Sequence, residues 1–221
     1  NLSNTNLKRA ILNNVSAKRA NFSGSDLDWA EANNVNFTEA KLHLAILTRT
    51  NLDNSNLTRI DLTNSTLNKA SISNCILEGA SLCQSNLYWT NINNSNLYGS
   101  DLSELNLERA DLRCSNLSEC NFENSTLFWC DLSGSNLNNS KFLNANLEKT
   151  ILKNTTLEKS NLSNSNLPKA DFQNANLKDC NLEGANIDQA DFRNADLSDS
   201  TINMANNIVD AMIDKTTKMP N

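Results

Sequence analysis

A large apolar side chain recurs at every fifth residue, and this period is the feature that most constrains the fold. Counting in fives from Leu2 to position 202 gives 41 centres, of which 39 are Leu, Phe or Ile; the exceptions are Ala17 and Ala32. Two residues before the centres, Ala, Ser, Thr or Cys fills 36 of 40 positions. A helix requires a spacing of about 3.6 and a strand a spacing of about 2. The period therefore excludes an amphipathic helix and an ordinary strand over about 200 residues.

The period can be satisfied by a chain that turns a corner in every repeat. Four corners close a square coil of twenty residues, and stacked coils pair their backbone groups about 4.8 Å apart. The large residue fills the interior and the small residue leaves room for it, while three positions in five face water. This arrangement accounts for the 42 Asn residues and the mean hydropathy of −0.50, which by themselves would suggest a disordered chain.

The repeat resembles that of the pentapeptide repeat family. Two runs that carry the resemblance are Ala110-Asp111-Leu112-Arg113-Cys114 and Ala170-Asp171-Phe172-Gln173-Asn174. The resemblance covers residues 1–205 and implies an all-β fold, a right-handed quadrilateral parallel β-helix of about ten coils. We therefore divide the chain into a β-helix over 1–205 and a C-terminal cap over 206–221.

Residues twenty apart should lie above one another, which defines four faces. The second residue after the centre is mostly Asn or Gly on the faces that start at Leu2 and Leu12. Asn and Gly tolerate the positive φ of a type II turn, so we predict type II turns there, with ladders of stacked Asn. The other two faces carry Trp, Arg, Lys, Asp and Glu at this position and should use other turn types.

The same stacking predicts contacts in the interior. Phe122 should lie beneath Phe142, and Phe172 beneath Phe192, because each pair is twenty residues apart. Around Ala32 both inward residues are small, so we expect a void or an adjustment of neighbouring Phe side chains.

The face that starts at Leu7 gathers all three Trp residues in one column with cations, and Tyr88 and Phe128 lie beside two of them. Trp, Tyr and Arg are frequent anchors of protein interfaces, although a column of this kind can also act only as a cation–π ladder that covers the wall. The candidate interaction face comprises Arg9, Trp29, Arg49, Lys69, Tyr88, Trp89, Arg109, Phe128, Trp129, Lys149 and Lys169.

Nothing in the pattern indicates an enzyme. The one histidine, His43, has no nucleophile or acid at a fixed spacing, and the carboxylates of Asp26 and Asp28 lie on an open wall. No Gly-rich phosphate loop, metal-type cysteine spacing or concave pocket is expected. We predict no catalytic residue, no cofactor and no metal site.

The six cysteines do not suggest disulfides. Cys75, Cys120, Cys130 and Cys180 occupy small inward positions, whereas Cys83 and Cys114 point outward on different faces. None has another cysteine twenty residues away. Buried, unreactive thiols in a reducing compartment are the expected state, which favours the cytoplasm.

Both ends of the repeat need a cover. The repeat starts at the first residue, so we expect a preceding segment or an oligomer contact there. At the other end, Ile208, Val209, Met212 and Ile213 predict a short helix near 207–215 that closes the last coil. A homodimer formed through a terminus is the alternative use of these ends.

The functional prediction is a non-enzymatic solenoid that acts as a protein-interaction or scaffold module with unidentified protein partners. The net charge of −6, with an acidic middle third, argues against nucleic acid, and no apolar run is long enough to span a membrane. The resemblance implies an alternative, since some members imitate DNA and bind type II topoisomerases such as gyrase, giving quinolone protection. That role needs an acidic rod, whereas here one wall carries Arg and Lys.

Overall fold

The chain winds into a stack of twenty-residue coils. A computed structural model describes residues 1–220 and pairs them through single-residue parallel β-bridges, from Asn6 with Asp26 to Asn186 with Asn206, each joining residues twenty apart. Four bridges per coil define four walls. Wall 1 begins with residues 1–5, wall 2 with 6–10, wall 3 with 11–15 and wall 4 with 16–20, and each continues at intervals of twenty residues. The predicted β-helix and its twenty-residue coil are confirmed.

Backbone hydrogen bonds parallel to the stack hold successive coils together. The N–H of Leu27 donates to the carbonyl of Ile46 at 2.7 Å, and the N–H of Ile46 donates to the carbonyl of Ser25 at 2.9 Å. The same two bonds recur on every wall, so each coil is fixed to the coils before and after it. Because most backbone groups are satisfied in this way, the interior can be filled by side chains alone.

The core runs along the axis of the stack and consists of the centres of all four walls. From Phe22 to Ile202 every centre is buried. Phe122 and Phe142 stack with ring centroids 4.7 Å apart and planes 2° apart, and Phe172 and Phe192 stack at 4.9 Å and 8°, as predicted. In the coils around Ala32, the rings of Phe22 and Phe37 meet edge to face at 5.3 Å instead. The two rings thus contact each other within the coil that contains Ala32.

The small inward residues also form hydrogen bonds, which volume alone did not predict. The hydroxyl of Thr50 donates to the carbonyl of Leu27 at 2.7 Å, and the hydroxyl of Ser100 donates to that of Leu77 at 2.7 Å. The Cys120 thiol makes the equivalent bond to the Leu97 carbonyl at 3.0 Å. Most inward Ser, Thr and Cys side chains can therefore occupy the dry interior because they reach a backbone carbonyl, either one coil earlier or, as in Ser65 and Ser160, within their own turn. The buried hydroxyls of Ser25 and Ser200 have no hydrogen-bond partner within residues 1–220.

Asparagine before a centre caps the following turn. The side-chain oxygen of Asn21 accepts from the N–H of Ser23 at 2.9 Å, and many other repeats contain the same bond. The amide group can then donate along the wall, as Asn166 does to Asn146 at 3.1 Å and Asn186 does to Asn166 at 3.0 Å. This pair of roles explains why the short amide side chain of Asn recurs at that position.

The turns correct one prediction. The second residue after the centre has positive φ on all four walls, at every position from 4 to 199, ranging from 52° at Arg59 to 71° at Gly134. Other turn types on walls 2 and 4 were therefore wrongly expected. The N–H of Trp89 donates to the carbonyl of Glu108 at 2.9 Å, and this bond to the next coil requires the same backbone path in every wall. Packing thus overrides a local cost of roughly 1–2 kcal/mol per non-glycine residue.

On wall 3 the prediction of type II turns holds only in part, because five consecutive turns lack the closing hydrogen bond. The N–H groups of Val35, Cys75 and Ser95 donate to serine hydroxyls one coil further on, at 3.0 to 3.2 Å. Those of Ser55 and Ser115 donate to Cys75 and Ser135 in the same way. The donor leaves its own turn because a polar side chain of the next coil lies within reach.

The C-terminal segment corrects another prediction. The expected helix over 207–215 is wrong: within residues 1–220 the helices are two three-residue 3₁₀ helices, Ile202–Met204 and Ile208–Asp210. Beyond them, Met212 pairs with Asp191 and Lys218 with Asp196, so the chain continues the coil with one and then two extra residues. Ile208 and Ala211 pack against the last coil of the core. The side chain of Val209 and residue Asn221 lie outside the described part, and the boundary at 205/206 stays a prediction.

All six cysteines are free. Cys75, Cys120, Cys130 and Cys180 are buried, whereas Cys83 is half-buried and Cys114 is exposed, as predicted. Burial raises the pKa of Cys75, Cys120 and Cys180 to about 12 and that of Cys130 well above its usual range. The buried thiols are therefore uncharged and poor nucleophiles at neutral pH.

Substituting a lysine by glycine should have opposite effects at two positions of wall 4. Lys159 has a φ of 59°, whereas Lys178, one coil further on at the first turn position, is not in the positive region. We expect K159G to raise the free energy of unfolding by about 1 kcal/mol by relieving backbone strain, and K178G to lower it by about 0.5–1 kcal/mol. Urea denaturation measures both, and a loss of stability in K159G equal to that in K178G would contradict the account.

The buried thiols should make the fold sensitive to alkali. Their folded-state pKa lies above the unfolded value of about 8.5, so their contribution is complete below that pH and is lost as the pH rises towards the folded pKa. Above pH ~9 each thiol should lower the unfolding free energy by up to about 1.4 kcal/mol per pH unit. Urea melts between pH ~8 and ~10.5 measure the slope. The variant C75S/C120S/C130A/C180A, which uses residues found at equivalent sites, should show a shallower slope, and an equal slope would refute the prediction.

Candidate interaction surface

The predicted face lies on wall 2 and is exposed. Its column occupies the second turn position, where the positive φ directs each side chain away from the core. Trp29, Trp89 and Trp129 are 51%, 55% and 53% exposed, although tryptophan is usually largely buried. The twenty-residue register of the coils is what brings these residues into one column.

Cations and indole rings alternate along the middle of wall 2. The Lys69 ammonium and the Arg109 guanidinium lie 5.8 and 5.9 Å from the Trp89 ring centroid. Arg109 and Lys149 lie 5.7 and 5.9 Å from that of Trp129. Arg109 is therefore shared by two rings, and the five side chains form one continuous cluster. Each such contact contributes about 0.5–1 kcal/mol when exposed.

A second, smaller cluster lies towards the N-terminal end. The Arg49 guanidinium is 4.7 Å from the Trp29 ring centroid, and its Nη2 binds Asp28 Oδ1 at 3.0 Å. Arg9 shares a shallow cavity with Trp29, but Lys169 has no aromatic contact among residues 1–220. The structure thus joins most of the predicted residues into two clusters and leaves Lys169 apart.

The neighbouring aromatic residues support the column from the first turn position. Tyr88 meets Trp89 at right angles with centroids 6.1 Å apart, and Phe128 meets Trp129 at 59° and the same distance. The Lys149 ammonium lies 5.1 Å from the Phe128 ring. Both tryptophans are therefore held on two sides, which restricts their rotamers.

Wall 2 differs in charge from the rest of the molecule. It carries seven basic and five acidic residues, whereas the remainder carries twelve basic and twenty acidic residues. Arg109 and Lys149 pair with the adjacent Glu108 and Glu148 at 3.6 and 3.2 Å, and these exposed pairs contribute little stability. Lys69 forms no ion pair within residues 1–220. The wall therefore has positive charge that its own carboxylates do not neutralise.

Shallow cavities lie beside two of the tryptophans. Lys69 and Trp89 line one of about 320 Å³, and a second of about 340 Å³ is lined by Arg9, Ile11, Trp29 and Glu31. Each combines an indole surface with a cationic side chain. Such a site can receive an apolar side chain next to an anionic group.

Sequence reasoning missed four exposed isoleucines at the position before a centre, where Asn or Asp is usual. Ile46 lies on wall 2, and Ile11 and Ile151 are β-bridge residues at the start of wall 3; they are 42%, 75% and 37% exposed, respectively. Ile76 is the same exception on wall 4. The signal was present, because these are the apolar exceptions at an otherwise polar position.

The histidine has a partner that its spacing did not reveal to us. His43 Nδ1 lies 2.8 Å from the hydroxyl of Thr63, one coil further on, and that hydroxyl donates to Asp61 at 2.7 Å. Because the Thr63 proton is directed to Asp61, His43 donates to Thr63 and does not act as its base. The two carboxylates considered in the sequence, Asp26 and Asp28, are bound by Lys8 and Arg49.

Among residues 1–220, no three His, Cys, Asp or Glu side chains are grouped so that they could hold a metal ion. Over the same residues, no helix has the length and apolar character needed to cross a bilayer.

Family comparisons agree with the repeat. A profile described as pentapeptide repeats (8 copies) matches residues 1–38, 45–84, 60–99 and 90–127, and one described as a pentapeptide repeat region matches residues 130–206. The chain belongs to the pentapeptide repeat family. No curated protein matches it.

Solved structures of pentapeptide repeat proteins are similar to the chain. HetL, involved in heterocyst differentiation regulation in the cyanobacterium Nostoc sp. strain PCC 7120, is 24% identical over 96% of this chain and 86% of its own, with a TM-score of 0.47. QnrB1, a plasmid-mediated fluoroquinolone resistance protein, is 18% identical over 77% and 89%, with a TM-score of 0.45. A protein of the Arabidopsis thaliana thylakoid lumen is 22% identical over 47% and 68%, with a TM-score of 0.34. At these values the structural comparisons add no functional argument.

Removing a cation from the column should affect stability only where it contacts rings. R109M keeps an apolar stem but loses two cation–π contacts, and we expect the free energy of unfolding to fall by about 1 kcal/mol. K169M, at the same turn position of wall 2 but without an aromatic contact, is the matched control and should stay within about 0.3 kcal/mol of the parent. Chemical denaturation followed by circular dichroism measures both. Equal losses in the two variants would show that the rings do not bind Arg109.

Proposed function

We propose that this pentapeptide repeat protein is a non-enzymatic protein-interaction or scaffold module whose contact surface is wall 2. The observation that carries the proposal is that Trp29, Trp89 and Trp129 are half exposed in one column and each lies within 6 Å of a cationic side chain. Exposed Trp and Arg are the residues that most often dominate binding energy at protein interfaces. Because the cations and neighbouring rings already hold them, little side-chain entropy is lost when a partner binds.

The family and the fold support this role. Pentapeptide repeat proteins are generally non-enzymatic, and they often bind proteins. A solenoid repeats the same side-chain position at each coil, which suits a long and nearly flat contact. The right-handed sense of winding, the cytoplasmic location and a homodimer through a terminus belong to the same proposal.

The alternative role as a DNA-mimicking topoisomerase binder is not favoured by wall 2 of this chain. A DNA mimic must present acidic groups along its length, whereas wall 2 carries more basic than acidic residues. The alternative stays a prediction drawn from the resemblance, and a gyrase supercoiling assay addresses it.

The interaction surface can be tested with variants matched in position. We expect W89A/W129A to lose protein partners that the parent retains in affinity purification from cells of the source organism. E119A/K159A, at the same turn position of wall 4, is the control and should retain them. Circular dichroism and thermal melts check that both variants are folded. If W89A/W129A retained every partner while melting at a lower temperature, the column would be structural only and the proposal would fail.

A further inference from the structure

We infer that the stretch of wall 2 from Arg49 to Lys169 binds an extended acidic segment of a protein partner, with large apolar side chains placed between the carboxylates. The inference rests on the proposed function and specifies the chemistry of the partner. It is argued from the charge of the wall, from the cavity beside Trp89 and from the cations beside the indole rings.

Charge complementarity indicates an acidic partner. From residue 46 to residue 170, wall 2 carries five basic residues and two acidic residues, although the protein as a whole has a net charge of −6. Lys69 and Lys169 form no ion pair within residues 1–220, and the side chain of Arg109 is 45% exposed despite its contact with Glu108. A carboxylate that approaches this stretch meets a basic residue in five of its seven coils, and two of these residues, Lys69 and Lys169, have no carboxylate partner within residues 1–220. Attraction of this kind steers a partner and sets its register.

The cavity beside Trp89 indicates that apolar side chains accompany the carboxylates. Its volume of about 320 Å³ is lined by Lys69 and Trp89. An apolar side chain can cover the exposed ring there while a neighbouring carboxylate reaches the ammonium. Ile46, exposed on wall 2, extends the apolar surface at the N-terminal end of the stretch, and Ile151 is exposed at the start of the adjacent wall 3.

The cations beside the indole rings favour a protein partner over a nucleic-acid partner. Trp89 has cations from the coil before and the coil after it within 5.9 Å of its centroid, and Trp129 is enclosed in the same way. Single-stranded nucleic acid gains much of its affinity by stacking bases flat on open aromatic faces, and here the neighbouring cations obstruct flat stacking while leaving part of each ring exposed. The acidic remainder of the surface also repels a long phosphate chain. A short acidic protein segment avoids both difficulties.

The dimensions define a short segment. Arg49 and Lys149 are five coils apart, which corresponds to roughly 24 Å at about 4.8 Å per coil. An extended chain covers this distance with about seven residues at 3.3–3.4 Å each. An octapeptide is therefore long enough to reach from Arg49 to Lys149, which includes both Trp89 and Trp129.

The test uses tryptophan signals, because all three tryptophans lie on wall 2. The full chain, labelled with ¹⁵N, is titrated with an acetylated octapeptide of alternating glutamate and leucine, and the indole N–H resonances are followed. We expect the Trp89 and Trp129 signals to shift, and we expect binding to weaken at least about tenfold when NaCl rises from about 50 to about 500 mM. The same peptide with glutamine in place of glutamate should bind at least about tenfold more weakly.

Charge-matched variants locate the site. K69Q/R109Q should weaken binding of the glutamate peptide about tenfold, whereas K159Q/K178Q on wall 4, with the same change in net charge, should stay within about twofold of the parent. The inference is overturned if the glutamine peptide binds as well as the glutamate peptide, if both double variants weaken binding equally, or if no shift occurs at about 1 mM peptide. It is also overturned in favour of nucleic acid if an eight-nucleotide oligothymidylate binds more tightly than the glutamate peptide.

Failure of this inference and failure of the proposed function can be told apart. If the peptide does not bind but W89A/W129A still loses a cellular partner that E119A/K159A retains, wall 2 is an interaction surface for a partner of different chemistry. If the peptide does not bind and W89A/W129A also retains all partners, both the inference and the proposed function are wrong.

Discussion

The hydrogen bond from one coil to the next is the constraint on which the rest of the structure depends. Leu27 donates to the carbonyl of Ile46, and Ile46 donates back to that of Ser25, so the backbone is paired along the axis on every wall. This pairing requires all four walls to follow one path and all residues twenty apart to lie in register. The stacked phenylalanines, the hydroxyl bonds of Thr50 and Ser100 and the columns of surface side chains follow from that register.

The register also explains how bulky residues are accommodated where glycine would be easiest. Trp89 and Arg109 have φ values of 58° and 59°, a conformation that costs roughly 1–2 kcal/mol per residue. The same conformation places them one coil apart, where ring and guanidinium attract each other. The contact offsets part of the strain, and the tryptophan is left half-exposed in a fixed orientation. The backbone conformation at these positions therefore costs free energy locally, but it holds the tryptophan and the cation in the orientation in which a partner would meet them.

Much of the fold and of the candidate surface could be predicted, because both depend on spacing. Inward positions, coil length, Phe stacking, the orientation of the cysteines and the membership of the wall 2 column all repeat with the chain. Other features could not be read in this way. The open turns of wall 3 depend on side-chain distances in the next coil. The N–H of Val35, for example, donates to the hydroxyl of Ser55 and not to the carbonyl that would close its own turn. The C-terminal helix was wrongly predicted because the spacing of Ile208 and Met212 suits a helix as well as it suits a coil with one inserted residue.

By itself, the amino-acid sequence determined that the chain forms a β-helix, because neither an ordinary helix nor an ordinary sheet can bury a large apolar residue at every fifth position. The same period determined which side chains lie in each column. The sequence did not determine the turn conformation, because propensity and axial hydrogen bonding favoured different backbones on walls 2 and 4 and the bonding prevailed. Nor did it show that Lys69 has no ion pair within residues 1–220, that Trp89 has a cation within 6 Å in the coil before and in the coil after it, or that Lys69 and Trp89 line a shallow cavity. Those properties depend on distances between side chains twenty residues apart, and they arise only when the coils are stacked.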